Sequence, residues 1–250
     1  LIARNFDFYT TLIPTYVGRH NKPENGFSNI DFTICALAGN PQGMNEKGLA
    51  IMNNMAFPTD GLSPGVPISI LIQEALERYE TTEETLRFFK ESLRGNGAIL
   101  LVGDSSGDIR ALEISCNRIG VGEPRNGFIV NTNHFQTEEM KPFDIPQNAI
   151  YTEKAYPKSL MGKRIRESMG TEKRCERANE LLSKVEKVNL ETLRYIMRNH
   201  GEEGKPSSDT ICWHGPILST TMSLIFNLNK KSISALIGNP CQSEYRESSF

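Results

Sequence analysis

Apolar positions recur along this chain with two spacings, and each spacing predicts a different kind of element. In Leu1-Ile2-Ala3-Arg4-Asn5-Phe6-Asp7-Phe8, apolar residues surround an arginine and an aspartate three apart, and a buried strand is expected. Residues 10–29 scatter Pro14, Gly18, Pro23 and Gly26 among polar positions and read as a long surface loop, the kind that forms substrate walls. Residues 31–38 have strand character and stop at Gly39-Asn40-Pro41. A polar turn follows over 43–48, and 49–52 form another strand that ends at Asn53-Asn54. Beyond Pro64 the spacing becomes helical: Val66, Ile70, Leu71, Ala75, Leu76 and Tyr79 share one face of a helix starting near Pro67. A second helix is expected to open at Thr81-Thr82, with the capping pattern of a helix start, and to run through Leu86, Phe89 and Leu93 to Gly95.

Residues 98–103 and 109–115 predict a hairpin turning at Asp104-Ser105-Ser106-Gly107-Asp108, with a short third strand over 118–121. An apolar strand is expected from Gly127 to Val130, ending in the polar burst Asn131-Thr132-Asn133-His134. Residues 159–183 read as helical and basic, 190–197 as a short helix, and 218–228 with 232–237 as a closing hairpin. Antiparallel hairpins with helices grouped between them predict an α+β fold of packed sheets with outer helices, in a single domain over 1–250.

Composition narrows the function more than the fold. At 250 residues, with 38% hydrophobic and 23% charged, the chain can bury one substantial core. A net charge of -2 carries no polyelectrolyte signature, so no nucleic-acid partner is expected. No apolar run approaches the roughly 20 residues of a membrane span. Five scattered cysteines without a C-x-x-C pair, and no Asn-x-Ser/Thr sequon, point to a reducing, cytoplasmic setting. The chain begins at Leu1 without a methionine, and a preceding segment is expected to have been removed or omitted.

Candidate chemistry gathers where charge or amide meets strand. Burying Arg4 and Asp7 is costly unless each has a partner or a task. Arg4 could hold an anion such as a thiolate or carboxylate, and Asp7 an ammonium; a structural ion pair on a sheet edge is the alternative. Asn53 and Asn54 bring carboxamide donors to a strand end, as an oxyanion site requires, or simply close a turn. Asn133 and His134 stand in the same relation to the strand before them. His200, Cys212 and His214 lack the ligand spacing of a zinc site and a second thiolate pair, so no metal is expected. Cys212 with His214 could share a strand face as a thiol dyad, yet no acidic orienter is adjacent, and a wall role for Cys212 and Trp213 is favoured.

Four segments together carry a resemblance. Arg4-Asn5-Phe6-Asp7, then Gly43-Met44-Asn45-Glu46-Lys47-Gly48-Leu49 with Asn54, then Thr132-Asn133-His134-Phe135, then Gly238-Asn239-Pro240-Cys241 occur in the order found in linear-amide hydrolases of the N-terminal nucleophile superfamily. That group includes choloylglycine hydrolases, penicillin V acylases, acid ceramidase relatives and the acyl-coenzyme A:6-aminopenicillanate acyltransferases. The last resemble this chain most, through 104–115, Asn199-His200 and Ile211-Cys212-Trp213-His214, and the likeness spans nearly all of the chain.

The resemblance implies a four-layer αββα sandwich of two antiparallel sheets flanked by helices. It implies an amino-terminal cysteine whose thiolate attacks an amide carbonyl while its own α-amino group acts as base. It makes Arg4 the thiolate's partner, Asp7 the contact of the α-amino group, and Asn133 with Asn54 the oxyanion donors, the register between Asn53 and Asn54 staying open. Arg174 becomes the inward-pointing charge of the basic helix, with Arg164 as runner-up. Asn53, His134 and Phe135 are expected to bind substrate. The expected partner is a small-molecule amide or acyl substrate; no cofactor is called for, and a homo-oligomer is allowed. None of the five cysteines occupies the nucleophile's place, which is expected upstream of residue 1, about a dozen residues before the Arg4-Asn5-Phe6-Asp7 strand, on the extreme N-terminal strand. The alternative is a protein of the same fold that binds its ligand without a nucleophile, and the residues encoded before Leu1 separate the two.

Overall fold

In the computed structural model, which describes residues 1–61 and 63–250, eleven strands form two antiparallel sheets. The first strand, β1 (Ile2–Tyr9), does not pair with the strands that follow it. Instead β2 (Tyr16–Asn21), β3 (Asn29–Ile34), β4 (Gln42–Asn45), β5 (Ala50–Asn54), β6 (Ala98–Gly103), β7 (Ile109–Ile114) and β8 (Ile119–Gly122) make a seven-stranded meander, each beside its predecessor. β1 waits for β9 (Leu218–Asn227), then β10 (Ser232–Ile237) and β11 (Arg246–Ser249), and forms the edge of a four-stranded sheet in that order.

Side chains alternate across each strand, so each sheet has two faces to cover. On β5, Ala50 and Met52 face the other sheet and pack with Ile2, Phe6, Met44, Met222, Leu224 and Phe226 in the layer between them. Leu49 and Ile51 face the opposite way, onto α1 (Ile68–Arg78) and α2 (Thr82–Glu91), whose Leu71, Ile72, Leu76 and Phe89 are buried there. Across the four-stranded sheet, α5 (Leu190–Met197) lies against β1 and β9. It packs with α4 (Thr171–Ser183) through Leu181, Leu182, Ile196 and Ile211. Helices, sheet, sheet, helices: this is the expected αββα sandwich. No helix among the described residues is long and apolar enough to cross a membrane.

Local signals explain where the helices begin. Thr81 caps α2 by accepting from the Glu84 N–H while Glu84 returns the bond to the Thr81 backbone, and Asn189 and Thr192 repeat this capping box at α5. Four expectations need correcting. Residues 10–29 are not one loop, because β2 runs through them as an edge strand whose largely exposed side chains hide the strand period. The turn assigned to 43–48 is the buried strand β4 over its first half. Its polar side chains are consumed internally: Gln42 donates to the Phe32 carbonyl at 3.0 Å, and Asn45 to the carbonyls of Leu76 and Tyr79 at the end of α1 at 2.9 and 2.8 Å.

Residues 127–130 are not a strand; they carry only an isolated bridge between Arg125 and Phe128. The helical insert over 159–183 is broken between α3 (Ile165–Ser168) and α4 by Gly170, whose φ is 53°. β11 was not anticipated, since its four residues are polar and exposed.

Candidate active site

Arg4 lies on the same side of β1 as Ile2 and Phe6, facing the space between the sheets. Its Nε donates to Asn54 Oδ1 at 3.1 Å and its Nη1 to Gln42 Oε1. Burial lowers its pKa to about 10, with Asp7 and then Tyr16 pulling it back upward. Asp7 lies on the other face, where Asn5 also points: Asn5 donates to the carbonyls of Met197 and Ile211 in the helical layer. One Asp7 oxygen takes a hydrogen bond from Thr220 at 2.6 Å and the other from Arg174 at 3.1 Å. Burial raises the Asp7 pKa, and Arg174, the Thr220 hydroxyl and Arg4 oppose that rise.

The two faces are joined by the segment 131–133. Asn54 Nδ2 donates to the Asn131 carbonyl at 3.3 Å, Asn133 Nδ2 to the Met55 carbonyl at 3.0 Å, and Arg174 Nη2 to Asn133 Oδ1 at 2.8 Å. A continuous path therefore runs from Arg4 through Asn54, residues 131–133 and Arg174 to Asp7. Each carboxamide has its oxygen held by an arginine, which settles which end is Nδ2. Each Nδ2 gives one N–H to a carbonyl, and among the described residues the second N–H of each has no acceptor. Two fixed amide donors beside a buried arginine and a buried carboxylate can bind an anion that forms during a reaction.

Arg4, Asp7, Asn54, Asn133 and Arg174 are thus brought together in one hydrogen-bonded path. Arg174, rather than Arg164, is the inward charge: it is nearly buried, and Arg164 sits at the surface with Glu167. Other expectations are corrected. Asn53 follows Ile51 toward the helical layer, on the face of β5 opposite Asn54, and does not share the Arg4 contact. Phe135 is 2% exposed and packs with Ala56, Ile99 and Met140, covering the part of the seven-stranded sheet that four strands cannot reach. It is a core residue and not a substrate contact. His134 stays beside the site, its Nδ1 at 2.8 Å from Thr171 Oγ1 and 3.2 Å from Thr132 Oγ1, and burial lowers its pKa.

Several supporting residues escaped sequence reasoning. Thr171 accepts from the Asn133 N–H at 2.9 Å. Glu113 accepts from the N–H groups of Gln136 and Thr137 at 2.6 and 2.9 Å, and Asp144 from that of Phe135 at 3.0 Å. These carboxylates do for 131–137 what a neighbouring strand would do. For Glu113 a signal existed, an acidic residue inside the largely apolar run Ile109-Arg110-Ala111-Leu112-Glu113-Ile114, and Thr171 opens the Thr171-Glu172-Lys173-Arg174 segment that pointed to Arg174; Thr220 had none.

Comparison with known proteins decides the family. The family model for acyl-coenzyme A:6-aminopenicillanic acid acyl-transferase matches residues 1–242. The chain belongs to this family. Solved structures agree on the N-terminal nucleophile hydrolase fold. A variant of conjugated bile acid hydrolase from Clostridium perfringens superposes with a TM-score of 0.55 at 14% identity, covering 99% of this chain and 92% of that one. The Caenorhabditis elegans ortholog of N-acylethanolamine-hydrolyzing acid amidase gives 0.58 at 12% identity, over 91% and 87%. Penicillin V acylase from Agrobacterium tumefaciens gives 0.52 at 17%, over 94% and 78%. Among curated proteins no match was found.

In this member of the acyl-transferase family, Cys212 lies away from solvent beside His214. It is fully buried, and burial pushes its thiol up to about 12. Cys241, 27 residues further along the chain than His214, is brought by folding to 3.1 Å from His214 Nε2, beside the residues whose spacing alone suggests no metal. Two surface depressions of about 870 and 730 Å³ border the site only at its margins, through Asn131 and His134 respectively.

Proposed function

We propose that this protein cleaves a linear amide, or forms one by acyl transfer, through a cysteinyl thioester. The thiol is supplied by an amino-terminal cysteine ahead of Leu1, on a strand that would lie along the edge of β1 not taken by β9. Its own α-amino group accepts the thiol proton, Asp7 holds the resulting ammonium, and Arg4 stabilises the thiolate. Attack on the substrate carbonyl places negative charge on its oxygen, which takes the second Nδ2–H of Asn54 and of Asn133. Collapse breaks the C–N bond, and the departing amine takes the proton from the ammonium. The acyl group is left on sulphur for water or a second amine.

The observation that supports this reading is the matched pair of carboxamides, each with its oxygen held by an arginine and, among the described residues, one N–H of its amino end without an acceptor. Relatives of this fold are named for bile-acid conjugates, N-acylethanolamines and penicillin V, all acyl amides. The substrate panel follows from those names. In the cysteine-bearing protein, Asn133→Ala should lower turnover by about 100- to 1,000-fold, the usual effect of deleting one oxyanion donor. Turnover equal to that of the parent, on a substrate the parent cleaves, would remove Asn133 from the reaction and the reading with it.

A further inference from the structure

Behind Asp7, on the helical side of β1, four soft donors converge from three separate parts of the chain. His200 lies in the turn after α5, Cys212 and His214 on the segment leading into β9, and Cys241 just after β10. One donor atom from each falls within 4.8 Å of the others. His214 Nε2 is 3.4 Å from Cys212 Sγ and 3.1 Å from Cys241 Sγ. The His200 and His214 rings stand edge to face with centroids 5.1 Å apart. Among the described residues, His200 Nε2 is buried without a hydrogen-bond partner.

We infer that His200, Cys212, His214 and Cys241 form a structural zinc site. Two thiolates and two imidazoles are the donor set of closed tetrahedral zinc. Zinc bonds of about 2.3 Å to sulphur and about 2.0 Å to nitrogen place neighbouring donors roughly 3.3–3.8 Å apart; the two His214–sulphur distances are 3.4 and 3.1 Å and every other pair lies within 4.8 Å, so small side-chain shifts complete the tetrahedron. Binding requires no redox change: the two thiol protons pass to solvent as the two Zn–S bonds form. The backbone around the donors is already tied. Cys212 N–H donates to the Asn199 carbonyl at 3.0 Å, Arg198 to the Pro240 carbonyl at 2.8 Å, and Asn239 to the Trp213 carbonyl at 3.2 Å. All four protein ligands fill a tetrahedron, so the ion has no open position and serves as a clip, distinct from the reaction centre.

What the clip secures is the residue between two of its ligands. The Trp213 N–H donates to Thr220 Oγ1 at 2.9 Å, and the Thr220 hydroxyl donates to Asp7 at 2.6 Å. Zinc binding thereby fixes the Asp7 carboxylate through one backbone amide and one hydroxyl.

Metal content tests this without reference to turnover, so its failure is separate from failure of the amidase reading. Protein produced in zinc-supplemented medium and purified without chelator should carry stoichiometric zinc by plasma mass spectrometry. Titration of reduced apoprotein with cobalt chloride should give the intense visible bands of a tetrahedral cobalt–thiolate centre. Trp213 is the only tryptophan, so its fluorescence should change as zinc is removed and recover on readdition. Cys241→Ser and His214→Asn should each reduce retained zinc by at least about ten-fold after dialysis. Cys35→Ser, outside the cluster, should retain it. The parent's cobalt spectrum needs no variant and stands even where a substitution impairs folding. Absence of zinc and of cobalt–thiolate bands in the reduced parent, a Cys212–Cys241 disulfide in its place, or undiminished zinc in well-folded ligand variants would each overturn the inference.

Discussion

Arg174 and Asp7 illustrate how much a single buried pair can decide. Their side chains are 10% and 12% exposed, and Arg174 also donates to Asn133 and to the Met169 carbonyl at 2.8–3.0 Å. Removing the guanidinium leaves a buried carboxylate with the Thr220 hydroxyl as its remaining partner. Arg174→Met should therefore cost about 3–5 kcal/mol in urea unfolding, whereas Arg174→Met combined with Asp7→Asn should cost less than the two single changes summed. Strict additivity would show that the pair is not energetically coupled. At this scale the sequence was legible where a charge or amide stood in apolar surroundings, as for Arg4, Asp7 and Asn133, with the family resemblance supplying their roles. Thr220 and Gln42 were illegible because nothing about a threonine or glutamine inside a strand announces its partner. Thr220 meets Asp7 only through the pairing of β1 with β9.

Elements were legible to the extent that one face of each was buried and the other was not. α2 and α5 follow their apolar period and capping boxes and α1 its apolar period, although Val66 and Leu93, expected on the buried faces, fall outside the helices and are exposed. β2 and β4 failed for opposite reasons, one being mostly exposed and the other wholly buried with polar side chains satisfied from within. Neither presents the alternation that marks a half-buried strand. The break before α4 was also missed, although a glycine marks it. A Cβ at Gly170 would lie 2.2 Å from the Ser208 carbonyl oxygen, and the backbone there is left-handed. Gly162 is also left-handed, with φ 77°, but a Cβ there meets nothing within 4 Å. Gly162→Ala should thus cost about 1 kcal/mol from backbone strain alone. Gly170→Ala should cost clearly more and should lower turnover as well, because the Gly170 carbonyl receives the Arg174 N–H. Equal losses in thermal unfolding would mean the close approach to Ser208 relaxes freely.

For the molecule as a whole, the half-buried His134 makes stability depend on pH in a definite direction. Burial lowers its pKa from 6.5; Glu172 opposes this, while Arg166 and Arg174 add to it. Since the unfolded chain takes the proton first, the His134 contribution is complete above about pH 6.5 and is lost as pH falls toward the lower folded value, at up to ~1.4 kcal/mol per pH unit. Between about pH 8 and pH 5.5, His134→Gln should lose less stability than the parent; carboxylates titrate alike in both proteins and cancel in the comparison. Parallel curves would place His134 outside the linkage. The two-sheet α+β organisation was readable from hairpins and helix grouping, but the four-layer stacking came from the resemblance, because no local pattern says which strands share a sheet. The pairing of β1 with β9 joins opposite ends of the chain, and it orders events during synthesis. A ribosome that has delivered the first half of this protein has already made every strand of the larger sheet, yet Asp7 still lacks both Arg174 and Thr220. The candidate site closes only once β9 exists, so a chain terminated before Thr220 cannot hold the Asp7 carboxylate through that hydroxyl.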